Sequence, residues 1–310
     1  MNCVNILFLG GAKRVAMARL FMKAAEDRGV RCRIFSYELR RDEPIACVGS
    51  VILGKRWRDP DVIDHLRGVC ADHDISIVVP FVDGAVEVAA RLAAECSDIF
   101  APTSSASLSS AMFDKCVAAE LFERYGLSIP PTWNGDEVDA PLIAKPRNGS
   151  ASKGIILVNK ESELPADCDN YLIQRRFDRR EEISIDCYVR GDGQPLAIVP
   201  RLRLEVAGGE VVRSVTIDNA GAVKLADMAL RRLGLRGAVT IQLIREPDTD
   251  KLYVMEINPR LGGGAVCAVH AGADIPGMII DEAAGRCPEK ATYRPNTVIA
   301  RYMQEVVFYE

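Results

Sequence analysis

The stretch Tyr253-Val254-Met255-Glu256-Ile257-Asn258-Pro259-Arg260 begins as an apolar run. It then carries a carboxylate, an amide and a guanidinium before it meets Gly262-Gly263-Gly264. Strict alternation is the signature of a strand, and it places Glu256 and Asn258 on one face. Tyr253, Met255 and Ile257 are expected on the other, toward a core. Upstream, Gly237-Ala238-Val239-Thr240-Ile241-Gln242-Leu243-Ile244 alternates in the same way, and the turn-rich Pro247-Asp248-Thr249-Asp250 separates the two runs. A hairpin centred on Thr249 sets Gln242 opposite Glu256 and Thr240 opposite Asn258, with opposed Cβ atoms about 4.5–5.5 Å apart. Val239, Ile241 and Leu243 then join the apolar face. The other face gathers three oxygen-bearing side chains, Gln242, Glu256 and Asn258, with Arg260 just beyond. Hard cations such as Mg2+ take oxygen ligands, normally one or two carboxylates together with substrate phosphates. The cluster suits that chemistry.

The chain has 310 residues, enough for one large or two to three modest domains. Its hydrophobic content of 48% and charged content of 26% are those of an ordinary soluble globular protein. A formal charge of −4 gives no polybasic surface for nucleic acid or anionic lipid. Val4 to Leu9 is too short for a signal segment, its basic residues follow rather than precede it, and no apolar stretch approaches a membrane span. A cytoplasmic protein is expected, with neither nucleic acid nor membrane as partner. The ten cysteines contain no Cys-X-X-Cys pair and read as small buried hydrophobes in a reducing compartment. The three histidines, His65, His73 and His270, are too scattered for a zinc site, and His270 reads as a packed or surface residue.

The N-terminal third alternates strands and helices: strand Val4–Leu9, helix Arg14–Arg28, strands Cys32–Ser36 and Ser50–Leu53, helix Asp61–Asp72, strand Ile75–Pro80, helix Ala85–Cys96 and strand Asp98–Ala101. That pattern argues for a parallel sheet with right-handed crossovers. The Gly10-Gly11 turn lacks the third glycine of a dinucleotide fingerprint. Ligands of open parallel sheets collect at the carboxyl ends of strands, so Gly10, Gly11, Arg14, Glu38 and the Pro80-Phe81-Val82-Asp83 corner are substrate-binding candidates. The Ser/Ala-rich run from Thr103 to Ala111 reads as a junction. A helix follows from Phe113 to Tyr125, and short strands then dominate, as in an antiparallel sheet with few helices.

Leu142-Ile143-Ala144-Lys145 is a strand that delivers a lysine to the small-residue loop Arg147 to Gly154. Such a loop lets backbone N–H groups reach phosphate oxygens, although it is not a P-loop, because the lysine precedes the glycines. Strands are also expected at Tyr171–Gln174, Glu181–Val189, Pro200–Val206, Val211–Ile217 and Val298–Met303, and helices at Ala222–Leu233, Ala265–Ala271 and Ile275–Ala284. Arg201 and Arg203 share one strand face, and one or both are candidates to hold a carboxylate.

In combination, Asp114-Lys115, Lys145 with its glycine loop, Glu182, Gln242 and Glu256-Ile257-Asn258-Pro259-Arg260 resemble the ATP-grasp superfamily. The likeness is greatest to the ATP-binding half of carbamoyl-phosphate synthase large chains. It spans nearly the whole chain and implies α/β and α+β architecture: a Rossmann-like preceding domain over residues 1–112, then a split ATP-grasp domain over 113–310. Within the latter a small lid subdomain covers 113–174 and a large one 175–310. Lys115 and Lys145 are implied as phosphate contacts, with Gly149, Ser150, Ser152 and Gly154 in the lid loop. Gln174 falls at the adenine-facing hinge and Glu182 at the ribose. Gln242, Glu256 and Asn258 are the implied Mg2+ (or Mn2+) ligands. Arg260 and Lys145 are the implied catalytic cations, and Arg203, from its strand face, is the third catalytic candidate. Two departures stand out: Arg175 and Arg176 occupy the hinge where an acid is common, and Gln242 stands where many members carry an acid, although the carbamoyl-phosphate synthase type also uses glutamine. One unit is present where that type fuses two.

The resemblance implies an MgATP-dependent ligase that activates a small-molecule carboxylate as an acylphosphate for attack by an amine. The alternatives are an ATP-grasp kinase that makes a phosphoester, a nucleotide-binding protein without turnover and, last, a Rossmann oxidoreductase. Relatives are often dimers, which puts a homodimer among the expectations.

Overall fold

The computed structural model describes residues 3–138, 141–149 and 153–309. Ser150 and Ser152 lie outside the described residues.

Three sheets organise the chain. Strands β1 (Cys3–Leu9), β2 (Arg31–Glu38), β3 (Ser50–Leu53) and β4 (Ile77–Pro80) form a parallel sheet in the order β3-β2-β1-β4. Helices α1 (Val15–Glu26), α2 (Val62–Asp72) and α3 (Asp83–Glu95) make the crossovers. Buried on both faces, β1 is apolar apart from Asn5, whose Nδ2 donates to the His73 carbonyl at 2.8 Å. The strand expected at Asp98–Ala101 reduces to a single parallel bridge, Ile77 to Phe100. The Ser/Ala-rich junction contains a helix, α4 (Ala106–Phe113). Ser105 accepts from the Leu108 N–H at its start, and Met112 is buried beneath it. Helix α5 (Lys115–Arg124) follows directly, with the Asp114 carboxylate capping the N–H groups of Cys116 and Val117.

Strands β5 (Leu142–Pro146), β6 (Ile156–Val158) and β7 (Tyr171–Arg175) form a small antiparallel sheet, order β6-β5-β7. The largest sheet comprises β8 (Glu181–Val189), β9 (Pro195–Ala207), β10 (Glu210–Thr216), β11 (Gly237–Glu246), β12 (Lys251–Asn258) and β13 (Val298–Ala300), in the order β12-β11-β8-β9-β10-β13. Helix α6 (Ala220–Leu233) precedes β11, and α7 (Val266–His270) and α8 (Ile275–Ala283) follow the triple glycine. The largest boundary shifts are at β9, which begins five residues earlier than Pro200, and at β13, which ends at Ala300.

The two faces of the large sheet explain where a site can form. On one, Ile183, Ile185, Val239, Ile241, Val254 and Ile257 pack against α6 and α5 in one apolar core. The opposite face is divided along its length. Its far half carries Tyr188, Ala197, Val199 and Ala238, which share a second core with β1, α1 and α8. Its near half is mainly polar, with Glu182, Asp186, Arg201, Thr240 and Asn258, and turns apolar again at Ile244 and Met255. The parallel sheet therefore docks on the apolar half and leaves the polar half lining a cleft. Gly237 secures that docking. Its φ is +70°, and a Cβ there would fall 2.0 Å from the Pro102 carbonyl, so only glycine permits the junction.

The β11–β12 hairpin has the expected pairs at its functional end, Gln242 with Glu256 and Thr240 with Asn258. Toward the turn the register slips by one, to Leu243 with Val254 and Glu246 with Lys251. A bulge at Met255 absorbs the extra residue and flips the alternation. Val254 points into the core in place of Tyr253 and Met255. Those two move to the cleft face, where Tyr253 stacks on Phe177 at a ring separation of 5.0 Å. The assignment of Tyr253 and Met255 to the core face of the hairpin is thereby corrected. Of the ten cysteines, all free, only Cys70, Cys187 and Cys267 are buried; Cys47 and Cys287 are exposed, so the expectation of buried hydrophobes holds for a minority.

Candidate functional site

One cleft of about 740 Å3 runs between the three sheets. Its floor is the polar half of the large sheet, its roof is the small sheet with the glycine loop, and its far wall comes from the parallel sheet.

The roof supplies lysines. Lys145 sits near the end of β5, only 8% exposed, and donates from Nζ to Gln174 Oε1 at 3.0 Å. Burial lowers its pKa to about 8, and the nearby Lys115 and Arg180 add to the shift while Glu256 opposes it. Lys115, at the first position of α5, donates from Nζ to the Gly149 carbonyl at 2.7 Å and from its backbone N–H to the Arg147 carbonyl. Arg147 Nε in turn donates to Asp114 at 2.6 Å. The glycine loop is thus moored at its root to the N-terminus of α5. Gly149 and Gly154 both have positive φ, +133° and +73°, and Gly149 lines the cleft.

The floor supplies oxygen. Glu256, Gln242 and Asn258 line the cleft as adjacent positions of two paired strands. Among the described residues Glu256 makes no hydrogen bond to a side chain. Asn258, 4% exposed, accepts at Oδ1 from Arg260 Nη2 at 3.3 Å. A carboxylate without a protein partner beside an amide oxygen fits a hard cation shared with phosphate. Gln242 is already engaged: its Oε1 accepts from Arg203 Nη1 at 3.3 Å, and the same nitrogen donates to Glu182 at 3.0 Å. Glu182 also accepts from Arg180 Nε at 3.4 Å. The register places these groups together, because β8 and β9 pair Ile183 with Leu202. Among the described residues no group of three His, Cys, Asp or Glu side chains could hold a metal ion.

The apolar end of the cleft is Ile143, Phe177, Ile244 and Met255, with Arg175 stacked over the Phe177 ring at 5.2 Å. Gln174 is not part of that wall. Its side chain is buried, held by Lys145 and by the Pro130 carbonyl, which accepts from Nε2 at 3.1 Å. Of the expected hinge, Arg175, Arg176 and Phe177 line the cleft, and the side chain of Gln174 does not. Gln174 instead fixes the height of Lys145.

The far wall was only half anticipated. Arg14 and Asp83 do face the cleft, as do Phe81 and Val82. Gly10, Gly11 and Glu38 do not. Glu38, its pKa raised by burial, accepts from Ser36 Oγ at 2.6 Å, which together with the Ala12 and Gly11 backbone opposes the shift. An internal carboxylate thus fills the turn where a dinucleotide-binding sheet would take a pyrophosphate. Arg260 is bound to this wall: Nε donates to Asp83 Oδ1 at 2.6 Å. Trp57 and Glu210 also line the cleft, with no signal in the sequence to mark them. Glu210 joins Arg14 (3.2 Å) to Arg301 (3.0 Å) across the cleft mouth. His270 lies on α7 and does not line the cleft.

The comparisons with known proteins agree with this architecture. Residues 168–306 match the family described as ATP-grasp in the biosynthetic pathway with Ter operon. A D-alanine–D-alanine ligase of Thermoanaerobacter sp. (strain X514) is 28% identical over 198 residues, 49% of this chain and 52% of that protein. The chain spans about half the length of the curated relatives it matches. Among solved structures, the biotin carboxylase domain dimer of the Hydrogenobacter thermophilus 2-oxoglutarate carboxylase, in complex with MgADP, ADP and bicarbonate, superposes with a TM-score of 0.74. The match has 17% identity and covers 95% of this chain and 73% of that one. An L-amino acid ligase from Bacillus licheniformis gives 0.69 at 17% identity, covering 90% and 74%. At such identities the likeness concerns the fold. No helix among the described residues is long and apolar enough to cross a membrane. Lysines above, an oxygen-rich strand pair below and a parallel sheet beside them, together with these matches, give the chain the fold of the ATP-grasp proteins.

Proposed function

We propose that the chain is an MgATP-dependent ligase that joins a small-molecule carboxylate to an amine. The observation that carries this reading is the opposition of Lys145 and Lys115 to Glu256 and Asn258 across one cleft, with Arg260 between them and the far wall. On this reading residues 1–112 form the preceding domain, 113–174 the lid and 175–310 the large subdomain.

A carboxylate that approaches a triphosphate meets several like charges, so catalysis here is chiefly charge management. Lys115 and Lys145 hold phosphate oxygens from the lid side. Ile143, Phe177, Ile244 and Met255 sandwich the base, and Glu182 accepts from the ribose hydroxyls, which requires Arg203 to share or release it. Glu256 and Asn258, with Gln242 once Arg203 turns aside, would hold Mg2+ (or Mn2+), which would neutralise phosphate charge when bound. Arg260 orients the transferred phosphoryl group, and Arg203, freed from Glu182, is placed to follow it. The substrate carboxylate oxygen forms a bond to the γ-phosphorus as the bond to ADP breaks. The amine nitrogen then attacks the acyl carbon, phosphate leaves and the nitrogen loses a proton. Closure of the glycine loop excludes water from the acylphosphate.

The D-alanine–D-alanine ligase relative and the L-amino acid ligase neighbour are amide-forming by name, and they support an amine as the second substrate. A homodimer and a cytoplasmic setting complete the proposal. ADP release measured with Mg2+ across amino acids, supplied singly and in pairs, tests it. An amide product together with ADP supports the ligase. A stable phosphoester with ADP would replace it by a kinase, and binding of ATP without ADP release would replace it by a sensor.

A further inference from the structure

The proposed chemistry accounts for Lys115, Lys145, Arg203 and Arg260, but it does not use Arg14 or Arg201. Arg201 is 2% exposed, yet it forms part of the cleft floor. Its Nε and Nη2 donate to Asp186 at 2.7 and 3.4 Å, while Nη1, also buried, has no hydrogen-bond partner among the described residues. A buried guanidinium N–H left without an acceptor is costly, and this one lies against the glycine turn that borders the cleft. A Cβ on Gly264 would stand 2.6 Å from the Arg201 Cζ and 2.7 Å from Nη1, and a Cβ on Gly263 would stand 2.9 Å from Arg14 Nη1. Neither glycine has positive φ, so the backbone does not demand glycine here. The guanidinium groups demand the space.

The local charge is unbalanced in the same direction. Arg14, Arg260 and Arg301 face two carboxylates, Glu210 and Asp83, while Asp186 is already matched by Arg201. Burial is the main reason the Arg14 pKa is lowered, with Glu210 opposing and Arg301 and Arg260 pressing further downward. An anion placed beside Gly263 and Gly264 would relieve that repulsion and give Arg201 Nη1 its missing acceptor.

We propose that Arg14, Arg201 and the Gly262–Gly264 turn form an anion subsite for the non-nucleotide substrate, which therefore carries a second carboxylate or a phosphate besides the carboxylate that reacts. This rests on the ligase reading for the identity of the cleft and deepens it by naming an acidic substrate class. The second anionic group anchors at Arg14 and Arg201, on the side of Arg260 away from the lysines, and leaves the first free to meet the γ-phosphate.

The test compares matched acids: butyrate, glutarate and 4-phosphonobutyrate, each with MgATP and hydroxylamine, so that an acylphosphate is captured as a hydroxamate whatever the natural amine. The diacid or the phosphonate is expected to exceed the monoacid in kcat/KM by about ten- to a hundredfold, as for one or two charge-assisted hydrogen bonds. Whichever of the two leads identifies the second group as carboxylate or phosphate. Gly264→Ala and Arg14→Gln are each expected to shrink that ratio toward one. If Gly264→Ala fails to fold, Arg14→Gln and the wild-type ratio still decide. Equal turnover of the three acids, or a ratio that both variants leave intact, overturns the subsite while the ligase reading stands. Calorimetry of glutarate and 4-phosphonobutyrate with a non-hydrolysable ATP analogue and Mg2+ separates the remaining outcomes. Binding weakened by Arg14→Gln but without hydroxamate keeps the subsite and removes the ligase reading. Absence of both binding and hydroxamate removes both.

Discussion

Arg260 and Asp83 are 177 residues apart in sequence, yet the arginine donates from Nε to the aspartate at 2.6 Å. The pair ties the end of β12 to the first turn of α3, so the parallel sheet fixes the arginine that the proposed reaction places at the phosphoryl group. Asp83→Asn keeps a hydrogen-bond acceptor but removes the charge, leaving the guanidinium freer to rotate. The expected result is a fall in kcat of about tenfold, in line with one charge-assisted contact, with KM for ATP little changed. Asp83→Glu should recover part of the loss. A purely structural Asp83 would lower the melting temperature and leave kcat per folded molecule unaltered.

Glu256 is the floor carboxylate with no side-chain partner among the described residues, directly across from Gln242. Glu256→Gln removes one charge and almost no volume. Turnover should drop at least about a hundredfold, as for loss of a preorganised charge contact, and the Mg2+ concentration for half-maximal activity should rise. The fold should persist, because the side chain supports no buried contact. Turnover close to that of the wild type would remove Glu256 from the metal-binding role.

Lys145 offers a pH signature. Its folded pKa is lowered from 10.5 to about 8, first by burial. Below about pH 8 the amine is charged in both the folded and the unfolded chain. Between about pH 8 and 10.5 the unfolded chain binds the extra proton, so this group adds stability as pH rises across that window. Lys145→Met lacks the titration. The stability of the wild type relative to the variant should therefore increase from pH 8 to pH 10.5, by up to about 3 kcal/mol if the whole shift is expressed. ATP affinity should move the opposite way, falling as the free enzyme loses the lysine charge above about pH 8. Denaturant melts and nucleotide titrations of both proteins at several pH values measure the two trends.

The sequence made the site's two strands legible because alternation and a Pro-Asp turn fix a hairpin, and at Gln242 and Glu256 the expected pairing matches. The bulge at Met255 was not legible. One extra residue in an apolar run leaves the composition unchanged, and its result, Met255 in the cleft, depends on strand geometry. Helix α4 was hidden in a Ser/Ala-rich run that resembles a linker until Leu108 and Met112 find the large sheet's core. The ion pairs were least legible. Arg203 with Glu182, or Arg260 with Asp83, are partners only because the sheets bring them together. A charged side chain in sequence specifies no particular partner.

The last prediction concerns the buried pair on the cleft floor. Asp186 is wholly buried and accepts from Arg201 Nε at 2.7 Å and from Thr240 Oγ1 at 3.3 Å. Arg201→Met leaves Asp186 charged and largely unmatched in a desolvated place, and should cost about 3–5 kcal/mol. The double variant Arg201→Met with Asp186→Leu removes both charges. It should recover most of that stability, since a buried pair contributes little net once both desolvation costs are removed. Urea melts of the wild type, both single variants and the double variant give the coupling directly. Additive losses would mean that Arg201 supports the fold through packing rather than through Asp186. Recovery in the double variant without recovery of acid binding would separate the arginine's structural contribution from its place in the substrate cleft.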